Sequence, residues 1–286
     1  TKLKAVKNKY EIAGMIDAHI LDGQAVTNFL YWLDKHPNPE KLDELKIAAK
    51  IADFRKKNKE YLGNSFATIA GFAENSAIIH YQPNKKTNKQ LQENNLLLLD
   101  SGGQYKNGTT DITRTIAIGK PSKKQIKCYN LVLQGHIALA QAIFPKGSSG
   151  AQLDVLARQY LWQNALNYGH GTGHGVGCYL NVHEGPQGIS ANNHAPLEAG
   201  MILSNEPGVY LVDNFGIRIE NLILVKEYNA DFLQFETISL APLDKNLIDL
   251  NMLSNKEKKW LKNYHLKIAK TLKQKLSQDQ ISWLSF

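Results

Sequence analysis

Cysteine is scarce: Cys128 and Cys178 are the only two in 286 residues. Two thiols far apart in sequence give no disulfide framework, and a reducing compartment is the default expectation. Long apolar runs are also missing. None approaches the ~20 residues that a membrane helix needs, so a membrane is not an expected partner. The opening TKLKAVKNKYE is charged and has neither an apolar h-region nor an initiator Met. It runs almost directly into a helical pattern, and the expectation is a chain whose N-terminal part is absent. A basic stripe is lacking too. Net charge is +8, but the lysines are scattered in pairs such as Lys56-Lys57, Lys123-Lys124 and Lys258-Lys259, with no aromatic platform between them. A solvated surface explains them better than nucleic-acid binding. What remains, 43% apolar and 21% charged, is the composition of a globular protein long enough for one large or two ordinary domains.

Periodicity divides the chain. Helical spacing runs from about Tyr10 to Leu33, and again from Glu40 to about Leu62 after the breaker His36-Pro37-Asn38-Pro39. Strands are expected at Phe66–Ala70, Ala77–Tyr81, Leu96–Asp100 and Ile112–Ile118. The pattern then restarts. Helices are expected near Lys123–Ile143 and Ala151–Leu166, then strands near Cys178–Asn181, Met201–Asn205, Gly216–Val225 and Phe235–Leu240. Helix, helix, strands thus occurs twice, which predicts an α+β fold of two similar halves with sheets together and helices outside. The halves are about 1–120 and 121–245. A last helix starts at the capping box Ser254-x-x-Glu257 within a C-terminal extension, 246–286. The terminal Trp283, Leu284 and Phe286 are expected to dock.

Chemistry concentrates where strands end. The run Leu96-Leu97-Leu98-Leu99 ends in Asp100, and a Gly- and Asn-containing turn returns through Asp111 to the alternating Ile112–Ile118. Two carboxylates held close must share a proton or a cation. Met201-Ile202-Leu203 runs into Glu206. In Gly216-Ile217-Arg218-Ile219-Glu220, alternation puts Ile217 and Ile219 on one face and Arg218 and Glu220 on the other. Four carboxylates carry about −4, which two divalent cations would balance.

The run Tyr168-Gly-His170-Gly-Thr-Gly-His174-Gly-Val-Gly177 closes no dinucleotide fingerprint. Its two histidines have the spacing of a zinc helix, but the interleaved glycines argue against a helix and for a tight loop close to a site. Carboxylate-rich ligation with one imidazole favours Mn²⁺ over a thiolate-loving ion. Two ions ~3.5–4 Å apart can share a water and lower its pKa.

These residues resemble, in order and local context, the two-metal "pita-bread" peptidases, the family of methionine aminopeptidase, prolidase, creatinase and aminopeptidase P. SFATIAGFAENSAIIHY, LLLLDSGGQYKNGTTDITRT, GHGTGHGVGCYLNVHEGP, SNEPGVY, GIRIEN and the tail KKWLKNYHLKIAKTL are similar to the long cytosolic form of Xaa-Pro aminopeptidase. The resemblance implies the pita-bread fold with a curved antiparallel sheet. It implies residues 1–286 as a single catalytic domain preceded elsewhere by N-terminal domains, a cytoplasmic setting and a homodimer. It also implies two divalent metals, most simply Mn²⁺ with Zn²⁺ or Co²⁺ as substitutes. Asp100 would chelate one, Asp111 and Glu220 would bridge both, and His174 and Glu206 would complete the site. Glu206 would also handle the proton of the shared water. His183 and His80 would contact the substrate and stabilise the developing oxyanion, and His170, Arg218 and Tyr210 would line a proline pocket. The implied reaction removes the N-terminal residue from a peptide with proline second. Prolidase-type cleavage of dipeptides and a non-catalytic binding role are the alternatives.

Overall fold

The structure, a computed structural model, describes residues 2–285. The first long helix, Lys9–Asp34, starts where Asn8 accepts from the Tyr10 and Glu11 N–H groups and the Glu11 carboxylate accepts from the Asn8 N–H. This reciprocal cap satisfies donors that the helix itself cannot. Its inner face buries Met15, Val26, Phe29, Leu30 and Leu33. Asp22 is buried on that face too, paired with Arg55 of the second helix at 2.6 Å.

The second helix is shorter than the sequence predicts. Asp43 caps it by accepting from the Lys46 N–H, and it spans Glu44–Lys56. A 3₁₀ turn, Pro39–Lys41, precedes it, and Tyr61–Asn64 becomes a strand paired with Gly103–Tyr105. Asp43 wins because its carboxylate satisfies an N–H that a longer helix would have bonded internally.

Each half carries an open antiparallel sheet. In the first, Ile69–Phe72, Asn95–Ser101 and Ile112–Ile118 lie side by side. The expected strand at Phe66–Ala70 has therefore moved toward Phe72. No strand forms at Ala77–Tyr81. A 3₁₀ helix, Ala73–Ala77, and a turn replace it. Asn75 and Ser76 explain the change: the Asn75 amide donates to Glu44 and to the Thr87 carbonyl, and Ser76 Oγ donates to the Ala73 carbonyl. Such local side-chain bonds compete with a ladder.

The second half repeats the order. Helices Lys123–Ala140 and Gly150–Trp162 precede three strands, Ile202–Asn205, Asn221–Glu227 and Phe232–Thr237, whose sheet is completed by Ile143–Pro145 from between the helices. The segment Cys178–Asn181 is a turn instead of the expected strand, closed by the Gly177 N–H on the Asn181 carbonyl, with Tyr179 at φ 55°. The expected strand Gly216–Val225 breaks into Phe215–Arg218 and Asn221–Glu227. The break is where the halves meet: the Glu220 N–H leaves its own sheet and bonds the Thr113 carbonyl of the first at 3.1 Å.

The helices cover the sheets with apolar faces. Tyr129, Val132, Leu133 and Ile137 of Lys123–Ala140 pack with Ile217 and Ile219, and with Leu261, Tyr264, Ile268 and Leu272 of the C-terminal helix Asn255–Leu272. Trp283 docks as expected: its Nε1 donates to Asp34 and its ring meets Tyr31 edge-on at 5.6 Å. Phe286 lies outside the described residues.

Candidate dinuclear metal centre

Both sheets aim carboxylates at one place. In the first, Asp100 pairs with Thr113 near the end of the ladder, and Asp111 sits just before its strand. In the second, the register ends at the pair Asn205↔Asn221, one residue short of both Glu206 and Glu220, so these acids leave the sheet at the same level. His174 arrives on the two-residue strand Gly173–His174. This approach needs glycine: a β-carbon at Gly173 would lie 2.0 Å from the Ser204 carbonyl oxygen, well inside contact distance.

The five residues expected to bind metal open into one cavity of about 530 Å³. Asp111, His174 and Glu220 each offer a ligand atom within 4.8 Å of the others. His174 Nε2 lies 3.4 Å from Asp111 Oδ2 and 3.5 Å from Glu206 Oε1. His174 Nδ1 is 3.0 Å from the Gly175 carbonyl, which must accept its proton and so leaves the Nε2 lone pair for a cation. Thr113 Oγ1 donates to Glu220 at 2.8 Å, and Ser204 Oγ donates to Glu206 at 3.2 Å.

Asp100 stands slightly apart. Arg218 Nη2 donates to its Oδ2 at 2.7 Å, while its Oδ1 is buried with no hydrogen-bond partner. An orphaned buried carboxylate oxygen beside three more acids and an imidazole is a donor set that fits two hard cations.

Without cations the site holds its charge badly. Burial pushes Asp100 up to about 6 against the pull of Arg218, and pushes Glu206 up to about 7. Glu220 is driven well above the usual carboxylate range by burial and by Asp111, Glu206 and Asp100. Burial pulls the His174 imidazolium down, but the Asp111 hydrogen bond and the Glu206 charge outweigh it and lift the ring to about 9.

The cavity is also lined by His80, His170, His183 and Arg218. His80 sits on the turn that replaces the expected strand, and the His183 ring meets His174 edge-on at 4.2 Å. Tyr210 stands behind this lining: its hydroxyl is 2.8 Å from His170 Nε2 and accepts from Arg218 Nη1 at 2.8 Å. Arg218 is thus committed to Asp100 and Tyr210, and is only 2% exposed. Burial pulls His170 down to about 4, so its ring is neutral at pH 7.

Several contributors escape a reading of the sequence. Arg158 donates to Asp154 at 2.7 Å, to the Tyr168 carbonyl at 2.8 Å and to the His170 carbonyl at 2.7 Å, pinning the glycine loop to its helix. Thr172 bonds Asp154, and its carbonyl accepts the Glu206 N–H at 2.8 Å. An Asp and an Arg four apart on a helix look like a solvated pair, and only the loop folded over them buries both. Thr113 carried a usable signal, because alternation puts it on the face of Asp111.

Residues 13–227 match the model of metallopeptidase family M24, and residues 231–285 match the C-terminal region of that peptidase family. The chain belongs to metallopeptidase family M24. Among M24 relatives, the probable Xaa-Pro aminopeptidase P of Arthroderma otae is 45% identical over 298 residues, 99% of this chain and 48% of that protein. An X-prolyl aminopeptidase from Caenorhabditis elegans, described as a cytosolic enzyme with a di-nuclear active site, matches with TM-score 0.93 and 39% identity over 99% of this chain and 48% of that one. Prolidase from Pyrococcus furiosus matches with TM-score 0.73 and 29% identity over 83% of this chain and 66% of that one. The fold is therefore the pita-bread fold of M24 enzymes, and the chain spans about half the length of the curated relatives it matches.

Proposed function

We propose that this chain is the catalytic domain of an Xaa-Pro aminopeptidase, hydrolysing the bond between an N-terminal residue and a following proline. The observation that carries the reading is the shared cavity. Five ligand-type side chains from both halves and a wall of His170 and Arg218, backed by Tyr210, meet around one space. The similarity to Xaa-Pro aminopeptidases over almost the whole chain supports it.

Asp100, Asp111, His174, Glu206 and Glu220 would hold two divalent cations. When bound, the cations supply charge for polarising a carbonyl and acidifying a water. The protein does the rest. Glu206 takes the water's proton and carries it onward to the proline nitrogen. His183, whose charged form is disfavoured by burial and by the neighbouring His174, donates to the oxygen on which charge develops. His80 faces the same cavity and shares that task. A proline amide has no N–H and a fixed φ, so recognition must come from shape. His170, Tyr210 and Arg218, mutually hydrogen-bonded, make a stiff wall for the ring, and Phe66, Ala67 and Ile79 add apolar surface.

The oxygen-rich donor set with one imidazole favours manganese as the native ion, with zinc or cobalt as substitutes. A homodimer and a cytosolic setting rest on resemblance to the long-form enzymes. The boundaries 1–120, 121–245 and 246–286 are proposed for two halves and a C-terminal extension of one catalytic domain.

The test is release of the N-terminal amino acid from Xaa-Pro-Yaa tripeptides by metal-stripped protein with and without added Mn²⁺. Cleavage only with metal, and of tripeptides as well as Xaa-Pro dipeptides, supports the aminopeptidase. Cleavage of dipeptides alone makes it a prolidase, and no cleavage with metal bound refutes a peptidase.

A further inference from the structure

A buried polar spine runs behind the cage and ends on the C-terminal helix. Asn205 and Asn221 form the last ladder pair before Glu206 and Glu220. The Asn205 amide donates to the His136 carbonyl at 2.9 Å, His136 Nδ1 faces the Asn205 carbonyl at 3.1 Å, and His136 Nε2 faces the Asn221 amide at 3.1 Å. Burial pulls His136 down to about 3, so the ring is neutral and its two nitrogens play one donor and one acceptor role. Arg114 completes the frame. It pairs with Leu99, the neighbour of Asp100, in the first sheet. Its Nη1 donates to the Glu220 carbonyl at 2.7 Å and its Nη2 to Asn221 Oδ1 at 2.8 Å.

The C-terminal helix touches this spine twice. Tyr264 OH accepts from Arg114 Nη2 at 2.9 Å and lies 3.1 Å from Asn221 Oδ1 and 3.0 Å from the Ala241 carbonyl. Trp260 stacks on Tyr264 at 5.1 Å and meets His136 edge-on at 5.9 Å. A helix that only covered apolar surface would need neither contact. Tyr264 is 4% exposed and Arg114 2%. Water cannot replace the phenol there. Arg114 Nη2 keeps Asn221 Oδ1 and the Ala241 carbonyl as acceptors, but Asn221 Oδ1 loses the phenol as a donor and the Ala241 N–H loses it as an acceptor, in a place where unmet polar groups are costly.

We propose that Tyr264 and Trp260 of the C-terminal helix are positioning residues for the carboxylate cage, fixing the level and spacing of Glu206 and Glu220 through Arg114, Asn221 and His136. The inference rests on reading those two acids as metal ligands. It gives the C-terminal region a role in the site from which its own side chains are absent. Loss of the phenol oxygen loosens the last rung of the sheet, and the two carboxylates above it lose their shared geometry. The consequence is weaker cation binding, with peptide contacts untouched, because none of these residues lines the cavity.

The experiment compares Mn²⁺ affinity by calorimetry in metal-stripped wild type, Tyr264→Phe, Trp260→Leu and the control Ile268→Val, which lies one turn further on the same helix and is fully buried. Removing partners that orient a ligand costs roughly 10- to 100-fold in metal affinity, and that is the loss expected for Tyr264→Phe and Trp260→Leu. Ile268→Val should lower Tm comparably and leave the affinity as in wild type. At saturating Mn²⁺, the KM of Tyr264→Phe should stay within about twofold of wild type if its effect passes through the cage alone. Wild-type affinity in both spine variants, or an equal loss in Ile268→Val, overturns the proposal. The affinity comparison needs no substrate, so failure of the peptidase reading is seen separately, in the cleavage assay.

Discussion

Arg218 Nη2 lies 2.7 Å from Asp100 Oδ2, and this pair joins the two halves of the chain inside the candidate metal cavity. The same guanidinium donates to Tyr210, which reaches His170. One buried charge therefore ties the expected metal site to the expected proline wall. Breaking a buried pair by removing one partner costs roughly 3–5 kcal/mol, because a charge is left uncompensated. Arg218→Leu should cost that order in the metal-free protein, measured by urea denaturation. A loss below about 1 kcal/mol, the scale of exposed pairs, would contradict it.

Tyr210→Phe tests the wall without removing charge. It deletes the hydroxyl that accepts from Arg218 and meets His170, and leaves the ring. KM for Xaa-Pro-Yaa should rise by about tenfold, equivalent to about 1.4 kcal/mol of binding, while kcat changes less. Equal falls in kcat and kcat/KM would place Tyr210 in the chemical step instead.

Thr113→Val removes the donor 2.8 Å from Glu220, together with the acceptor that Arg218 Nε finds at 3.2 Å, and keeps the shape of the side chain. Mn²⁺ affinity should fall by roughly 10- to 100-fold with little change in the fold, since the lost bond orients a ligand. Calorimetric titration measures this, and wild-type affinity would mean that Glu220 is held by other groups.

The metal-free protein should gain stability as pH falls from about 8 to 6.5. Folded-state values of about 7 for Glu206 and about 9 for His174 lie above the usual ones, so these groups bind more protons in the folded state across this range. Below it the gain is offset, because His136 and His170, held at about 3 and about 4, take up protons only on unfolding. Stability then declines as pH rises, the reverse of an ordinary salt-bridged acid. Metal loading inverts the trend, because cations compete with the same protons. Melting curves of stripped and Mn²⁺-loaded protein from pH 6.5 to 8 measure both slopes. Parallel slopes would show that these acids do not face the cation.

The cage was legible because it sits where sequence signals are strongest. Four leucines running into Asp100, and Ile217 and Ile219 alternating with Arg218 and Glu220, leave little doubt about which side chains turn inward. The glycines around His174 announced a close approach, and Gly173 against the Ser204 carbonyl is that approach. The errors arose where side chains redirect the backbone. Ile78 and Ile79 look like strand residues, but Asn75 and Ser76 capture nearby polar groups and make a turn. Tyr61–Asn64 looks like the end of a helix and is a strand, because its partner Gly103–Tyr105 lies far along the chain. The Asp154–Arg158 truss and the Arg114–Tyr264 contact were invisible for the same reason: each depends on what tertiary structure buries.

The most direct test of the account is amino-acid release from an Xaa-Pro-Yaa peptide as Mn²⁺ is titrated into stripped wild type and stripped Asp111→Asn. Asp111 is 4% exposed and within ligand reach of both His174 and Glu220, so neutralising it should disable the cage and leave the cavity intact. The account predicts that wild-type activity rises from background to a plateau near two equivalents of Mn²⁺, and that Asp111→Asn stays at least about 10²-fold lower throughout, the scale on which removing one electrostatic catalytic group acts. Wild-type activity that is indifferent to Mn²⁺, or an Asp111→Asn variant that matches it, would contradict the account.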